Sequence, residues 1–130
     1  MCLWTVDKKI DRRYLRREGK HVVCWKVAAK DKIRRLWKSY IFTVWYKPGW
    51  NISERRLAIP GSHNNRYIPH YHAFMTKRAA QRWLRGSFDQ SSYSIIKCKT
   101  FLKYITATGN QEGKVLVTKK IWIPPYPDTE

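Results

Sequence analysis

Residues 67–86, with the sequence YIPHYHAFMTKRAAQRWLRG, constrain the fold more than any other part of the chain. Residues 67–74 are nearly all aromatic, apolar or His, a composition that suits a half-buried strand. Thr76 can then cap a helix, because its hydroxyl can accept from a free N–H of the first turn. Apolar side chains follow at helical spacing, at Ala79, Ala80, Trp83 and Leu84. Gly86 is placed to end the helix through a positive φ, so the pattern predicts a strand followed by a helix over residues 76–85.

The predicted helix also has a basic face. Arg78, Arg82 and Arg85 are spaced i, i+4 and i+7, so their side chains project together. Lys77 and Arg78 fall in the first turn, where the helix dipole disfavours cations. This face is either a solvated surface or the surface on which an external polyanion lies.

Positive charge is the dominant feature of the composition. The 130 residues include 27 Lys and Arg against 9 Asp and Glu, a formal net charge of +18. Self-repulsion of this size destabilises a compact domain unless a polyanion offsets it. Nucleic acid is the commonest such partner, since a duplex carries about one charge per 1.7 Å. An anionic membrane is the rival partner, but the sequence has no basic helix with a broad apolar face and no apolar run of about 18 residues. We therefore expect no membrane association.

The cysteine content indicates the compartment. Cys2, Cys24 and Cys98 are an odd number and lie far apart, so they do not form a disulfide framework. The apolar segment at the N-terminus is also too short for a secretory signal. An intracellular location is expected, in host cytoplasm, nucleus, viral factory or virion, where thiols stay reduced.

Apolar and β-branched runs predict the strands. Residues 21–29 are apolar on both faces over most of their length, which is typical of a central strand. Residues 93–105 alternate, with Ile96 and Cys98 on one face and lysines on the other, which predicts a half-buried strand with a basic outer surface. Further strands are expected over residues 40–46, 55–59 and 114–123.

Together these elements predict an α+β fold in a single small domain. We expect a twisted, mostly antiparallel sheet, or a partial barrel, curled around one main helix at about residues 76–85. Residues 1–20 are interpreted as a basic N-terminal arm, 21–123 as the domain and 124–130 as a polar C-terminal tail.

Catalytic motifs are nearly absent from the sequence. It contains no P-loop, GxGxxG, HExxH or GxSxG pattern. The nine acidic residues are scattered, so there is little material for paired carboxylates or a two-metal centre. We expect a non-enzymatic protein without catalytic residues or a cofactor.

One set of cysteines and histidines could hold a metal. Cys24, Cys98 and His72 lie on predicted strands, and with Cys2 they would form a closed zinc site. A cysteine beside a histidine would also form a nucleophile pair. Because no CxxC motif is present, the favoured interpretation is that the cysteines are buried as small hydrophobes and the histidines form hydrogen bonds near the core.

Aromatic residues alternate with cations along the chain, as in Trp25-Lys26 and Arg82-Trp83. Exposed rings beside cations can stack on bases, but rings in a small domain are mostly core, so we expect most of them to be buried. Binding is then expected to be directed at the phosphate backbone and largely independent of sequence, with DNA favoured over RNA. The candidate contacts are Arg12, Arg13, Arg16, Arg17, Arg34, Arg35, Lys38, Arg78, Arg82, Arg85, Lys97 and Lys99.

Two alternatives remain open at the level of sequence. The chain could be an interaction module for an acidic host or viral protein, whose binding would survive competitor DNA. It could also be a zinc or thiol-chemistry protein built on the Cys/His set, which metal analysis and thiol titration would reveal.

The order of short motifs resembles a family of short phage, bacterial and large-DNA-virus proteins without settled function. The motifs are Met1-Cys2-Leu3, Val23-Cys24-Trp25-Lys26-Val27, His72-Ala73-Phe74 running into a helix, and Lys97-Cys98. The resemblance implies a single compact domain of viral type, with Cys2, Cys24, Cys98 and His72 at motif positions. The family is not notably basic, so the charge would be a specialisation of this chain.

Overall fold

A computed structural model describes residues 3, 5–39, 44–60, 66–86 and 90–127 of the chain. Within these residues the strands are β1 (Thr5–Val6), β2 (Arg16–Glu18), β3 (His21–Asp31), β4 (Leu36–Ser39), β5 (Trp45–Tyr46), β6 (Gly49–Ile52), β7 (Ile59–Pro60), β8 (Arg66–Tyr67), β9 (Tyr71–Phe74), β10 (Tyr93–Thr100), β11 (Ile105–Asn110), β12 (Lys114–Thr118) and β13 (Lys120–Ile123). The α-helix is α1 (Lys77–Arg85), and short 3₁₀ turns lie at Gln90–Ser92 and Leu102–Tyr104. No helix in this described part is long and apolar enough to cross a membrane.

Most strands belong to one antiparallel sheet. Its order is β1-β11-β12-β9-β3-β10-β13-β6, with β2 and β4 also paired to β3 and β5 paired to β4. Strands β7 and β8 form a separate two-stranded sheet. The predicted class is confirmed in its coarse form: the protein is a small single domain, mostly antiparallel sheet with one described helix, and the sheet does not close.

A corner at Lys119 bends the sheet. This single residue joins β12 to β13, although β9, β3 and β10 lie between those strands in the sheet. In a flat sheet the two strands would lie about 19 Å apart, at about 4.8 Å per strand. The two Cα–Cα steps from Thr118 to Lys120 span at most about 7.6 Å, so the sheet must curl to bring the two strands together.

Buried threonines hold the corner. The hydroxyls of Thr100 and Thr118 lie 2.8 Å apart, and Thr100 Oγ1 donates to the carbonyl oxygen of Lys120 at 2.7 Å. The N–H of Lys119 donates to the carbonyl of Tyr104 at 3.0 Å. Both threonine side chains are fully buried, and these hydrogen bonds satisfy polar groups that would otherwise be costly inside the fold.

Two cores lie on opposite faces of the sheet, and α1 belongs to only one of them. The helical core joins Ala79 and Ala80 to Phe74 and to Val27 of β3. The other core contains side chains from most strands and none from α1, among them Cys24, Cys98, Leu116, Ile121 and Ile123. The sheet therefore curls around its own side chains, which corrects the expectation that it curls around the helix.

The predicted helix is confirmed. Thr76 precedes α1 with extended φ and ψ, and its hydroxyl accepts from the N–H of Ala79 at 3.1 Å. The expectation for Gly86 is wrong, because its φ is −83° and lies in the ordinary helical region. The helix ends there with the N–H of Gly86 donating to the carbonyls of Trp83 and Leu84.

The long strands are confirmed with different ends. Residues 21–29 fall within β3, which is a central strand. It pairs with β10 on one side, and with β2, β9 and β4 in turn along its other side. The predicted strand 93–105 stops at Thr100, and the predicted strand 114–123 divides at Lys119. Of residues 40–46, 40–43 lie outside the described residues, and of residues 55–59 only Ile59 is in a strand.

The segments interpreted as an N-terminal arm and a C-terminal tail both contribute residues to the domain. The basic segment 1–20 supplies β1, which pairs with β11, and β2, which pairs with β3. In the C-terminal tail, Tyr126 is buried with its ring 5.3 Å from that of Trp37. Contacts with the sheet therefore order parts of both segments.

Gly109 provides a test of the β1–β11 contact. A Cβ at this position would clash with the backbone carbonyl of Thr5 and lie 2.9 Å from Cδ1 of Leu3. We expect Gly109→Ala to lower the free energy of unfolding by about 1–3 kcal/mol in urea denaturation, because β1 must shift. Gly86→Ala is the matched control: its nearest contact would be an ordinary 3.6 Å, so it should be neutral or slightly stabilising. Equal losses in both variants would contradict this packing.

Candidate nucleic-acid interface

The register of five strands aligns cations and tryptophans in one row. Arg16 lies opposite Val23, Val23 opposite Lys99, Lys99 opposite Trp122 and Trp122 opposite Trp50. Directly opposed residues of antiparallel strands project from the same face. The row therefore crosses β2, β3, β10, β13 and β6 on a single surface.

A group of stacked rings lies next to this row. The rings of Trp50 and Phe101 are nearly parallel, at 15°, with centroids 5.4 Å apart. His21 lies 4.8 Å from Phe101, and Tyr104 lies 5.9 Å from it on an edge. These rings are half-buried, so each is supported by the fold and keeps part of its surface in solvent.

Lysine ammonium groups lie over two tryptophan rings of this surface. The Nζ of Lys99 is 4.9 Å from the centre of Trp122, and the Nζ of Lys120 is 5.1 Å from that of Trp50. Such contacts orient the lysines but leave their charge in place, since a ring attracts a cation without neutralising it. We call this surface the aromatic–lysine face and define it by His21, Trp50, Lys99, Phe101, Lys120 and Trp122.

Strand alternation explains why this face is exposed. In β13, Ile121 and Ile123 are fully buried, whereas Lys120 and Trp122 are half-buried on the other side. This is the period-2 pattern of a strand with one buried face. Beside the face, Lys97 pairs with Glu18 at 2.8 Å, and this contact lowers the pKa of the Glu18 carboxyl.

The helix lies next to the aromatic–lysine face. Ile95 of β10 packs in the helical core and borders a shallow depression with Leu84 and Arg85. Lys97 and Lys99 follow Ile95 on the same face of β10. The side chains of Arg78, Arg82 and Arg85 are exposed on α1. Arg85 borders the depression beside Ile95, whereas Arg82 lies toward Gly113 at the turn between β11 and β12.

Other predicted contacts lie elsewhere. At the far end of β3, Arg34 lies 3.8 Å over the ring of Trp45 and 3.5 Å from the Asp31 carboxylate, and Lys38 approaches the same ring at 5.5 Å. Arg35 is exposed in the same turn, at a positive φ of 55°. The structure thus separates this cluster from the aromatic–lysine face by most of the length of β3.

The cations near the N-terminus are also divided. The Asp11 carboxylate lies 2.9 Å from the Arg13 guanidinium and 3.1 Å from Nζ of Lys114, so it partly neutralises the charge of Arg13. Arg12 is exposed in the same loop. Arg17 neighbours Arg16 along β2 and so projects to the opposite face. Of the twelve predicted contacts, Arg16, Lys97 and Lys99 are the ones that lie along the sheet face with the rings.

Sequence reasoning missed the rings of this face. We expected most aromatic side chains to be buried, and for tryptophan this is wrong: of the six that the structure describes, only Trp37 is buried. The alternation of Lys120 and Trp122 with Ile121 and Ile123 was a usable signal. Trp50 and Phe101 carried no comparable signal, because their neighbours come from strands distant in sequence.

The cysteines and histidines form no metal cluster in the described residues. Cys24 and Cys98 face each other across β3 and β10, both are buried, and burial raises the pKa of the Cys98 thiol to about 12. His72 has both ring nitrogens in hydrogen bonds, to Tyr67 Oη at 2.9 Å and to the carbonyl of His70 at 3.1 Å. No group of three His, Cys, Asp or Glu lies together there, and Cys2 lies outside the described residues.

Comparisons with protein-family models, with curated proteins and with solved structures find no match for this chain. The resemblance drawn from short motifs therefore stays a prediction.

His72 is half-buried, and its lowered pKa predicts a pH dependence of stability. Burial and the charge of Lys26 lower the pKa of His72 from 6.5 to about 3. Between these values the unfolded chain binds a proton that the folded chain excludes, so stability falls as pH falls from about 6.5 towards 3. The limit for this group is about 1.4 kcal/mol per pH unit. Urea denaturation at pH 7, 6 and 5 should show the loss, and His72→Gln should flatten it. A wild-type curve that is level down to pH 5 would contradict the lowered pKa of His72.

Proposed function

We propose that the protein binds single-stranded nucleic acid on the aromatic–lysine face. The observation that supports this most is the set of half-buried rings with lysine ammonium groups directly over or beside them. Bases can stack on such rings while the lysines contact the phosphates between them. Nucleic-acid binding of this kind would also offset the net charge of +18.

Single strands fit this face better than duplexes. In a duplex the faces of the bases are covered by neighbouring base pairs, so protein rings reach only the backbone and the groove edges. In an unpaired strand every base has an open face, and stacking on a protein ring contributes about 1–3 kcal/mol per base. The rings of His21, Trp50 and Trp122 lie on paired strands, which reduces the entropy that binding would cost.

Binding is proposed to be largely independent of sequence. Every base offers a π-face and every nucleotide a phosphate, so neither contact selects one base strongly. The helix α1 contributes no residue to the aromatic–lysine face, so the proposed site has no recognition helix for a groove. We propose an intracellular, non-enzymatic binding protein, with DNA favoured over RNA.

Replacing the tryptophans should separate stacking from charge. We expect Trp50→Leu and Trp122→Leu each to weaken binding of oligo(dT) by about 5- to 100-fold, because each removes a stacking surface. Binding of a duplex of equal length should change little. Fluorescence anisotropy with labelled oligo(dT), oligo(U) and duplex DNA at fixed salt would measure this.

Trp45→Leu is the matched control for the ring variants. Trp45 is also half-buried beneath cations, but at the far end of β3. Its loss should leave oligo(dT) binding unchanged. If Trp45→Leu weakens binding as much as Trp122→Leu does, the aromatic–lysine face is not the binding surface.

The lysines should determine the salt dependence. For single strands the slope of log K against log salt is about −0.7 per phosphate contact. We expect the double variant Lys99→Gln/Lys120→Gln to make the oligo(dT) slope shallower by about 1.4. Lys32→Gln, an exposed lysine in the turn before β4, serves as control and should leave the slope unchanged.

The lysine and tryptophan variants together test the acidic-protein alternative. Polyglutamate carries negative charge without bases, so it would need the lysines and not the rings. Binding of polyglutamate as tight as that of oligo(dT), insensitive to Trp50→Leu and Trp122→Leu, would favour an acidic protein partner and contradict single-strand binding.

A further inference from the structure

The sheet splits beside β9 and leaves a cavity. Strand β3 meets β9 at one register pair, Trp25 with Phe74, and from Ala28 onward it pairs with β4 instead. A cavity of about 650 Å³ lies at this split, lined by residues of β3 and β9 and of the segment after β6. None of the residues that define the aromatic–lysine face lines it, so it is a separate site.

A buried lysine lies in the wall of the cavity. Lys26 is 8% exposed, donates from Nζ to the carbonyl oxygen of His72, and lies 5.4 Å from the centre of the Tyr46 ring. Within the described residues no carboxylate comes within ion-pair distance of it. A carbonyl and a ring compensate a buried ammonium only in part, and the ammonium group has three donors. The cavity therefore offers an anion both a charge and hydrogen-bond donors.

A buried acceptor without a partner lines the same cavity. Gln111 is 5% exposed, and its Oε1 has no hydrogen-bond partner among the described contacts. An unsatisfied buried acceptor is costly in a native fold, and an N–H of a bound molecule would satisfy it. This observation is independent of Lys26 and also indicates a ligand.

The remaining wall is mostly aromatic and apolar, and its charged residues, Glu54 and Arg55, are exposed to solvent. Tyr46 and Tyr71 lie with ring centres 6.1 Å apart, and burial raises the pKa of the Tyr71 hydroxyl. His72 is neutral, and both of its nitrogens are occupied within the fold. Apolar rings with a few convergent polar groups are typical of sites for small planar molecules, whose cavities measure about 300–1,000 Å³.

We propose that this cavity binds a small molecule that combines an anionic group with a planar heterocycle bearing an N–H donor. The anionic group is held by Lys26, the N–H donates to Gln111 Oε1, and the ring packs against Tyr46 and Tyr71. A nucleoside 5′-monophosphate and an indole carboxylate both carry this chemistry. This binding site is additional to the proposed single-strand site and does not depend on it.

Isothermal titration calorimetry can test the site with AMP and with indole-3-acetate. We expect one saturable site for at least one probe. The probe that binds with the lower Kd identifies phosphate or carboxylate as the preferred anion. Lys26→Met keeps the length of the side chain and removes the charge, and it should weaken the tighter probe by about 10- to 100-fold. Gln111→Leu should weaken the same probe while leaving the weak binding of ribose 5-phosphate, which has no ring N–H, unchanged.

Two controls separate the cavity from general attraction to a basic protein. Lys20→Met removes an exposed lysine outside the cavity and should not change the affinity. Trp122→Leu, which tests the aromatic–lysine face, should not change it either. Absence of saturable binding up to millimolar probe would overturn the proposal. Wild-type affinity in both Lys26→Met and Gln111→Leu would also overturn it, and so would loss of binding in Trp122→Leu. If Lys26→Met fails to fold, the Gln111→Leu result decides alone.

Discussion

The hydrogen bonds between Thr100, Thr118 and the Lys120 carbonyl hold the bend on which the rest of the structure depends. Without the bend, β13 could not follow β12 after one residue and still pair with β10 on the other side of β3. Polar side chains suit this position because a sharp change of strand direction breaks the ladder and leaves backbone groups that need partners. Their complete burial makes those partners obligatory.

The same bend builds the aromatic–lysine face. It carries Lys120 and Trp122 to the side of Lys99, and the pairing of β6 with β13 then adds Trp50. Four strands that are distant in sequence thus contribute to one surface, and the rings support one another through stacking. Rings fixed in this way lose little freedom when a base stacks on them, which is why the proposed function rests on this face.

Charge is compensated differently in different parts of the molecule. The carboxylates of Asp11 and Asp31 hold Arg13 and Arg34, which leaves those arginines partly neutralised. On the aromatic–lysine face the lysines lie over rings instead, and a ring attracts a cation without neutralising it. With nine acidic residues for twenty-seven basic ones, the few carboxylates cannot compensate every cation.

The amino-acid sequence by itself determined the local features of this protein. The helix with its Thr76 cap, the central strand β3, and the division of β10 into a buried and a basic face all follow from periodicity and capping chemistry. The surplus of positive charge follows from composition alone. Tertiary structure decided which residues meet: the corner at Lys119, the split that buries Lys26, and the row from Arg16 to Trp50 depend on pairings between distant strands. Periodicity reports which face of a strand is buried, but it carries no information about which strand lies beside it, and both proposed sites are formed by that choice of neighbours.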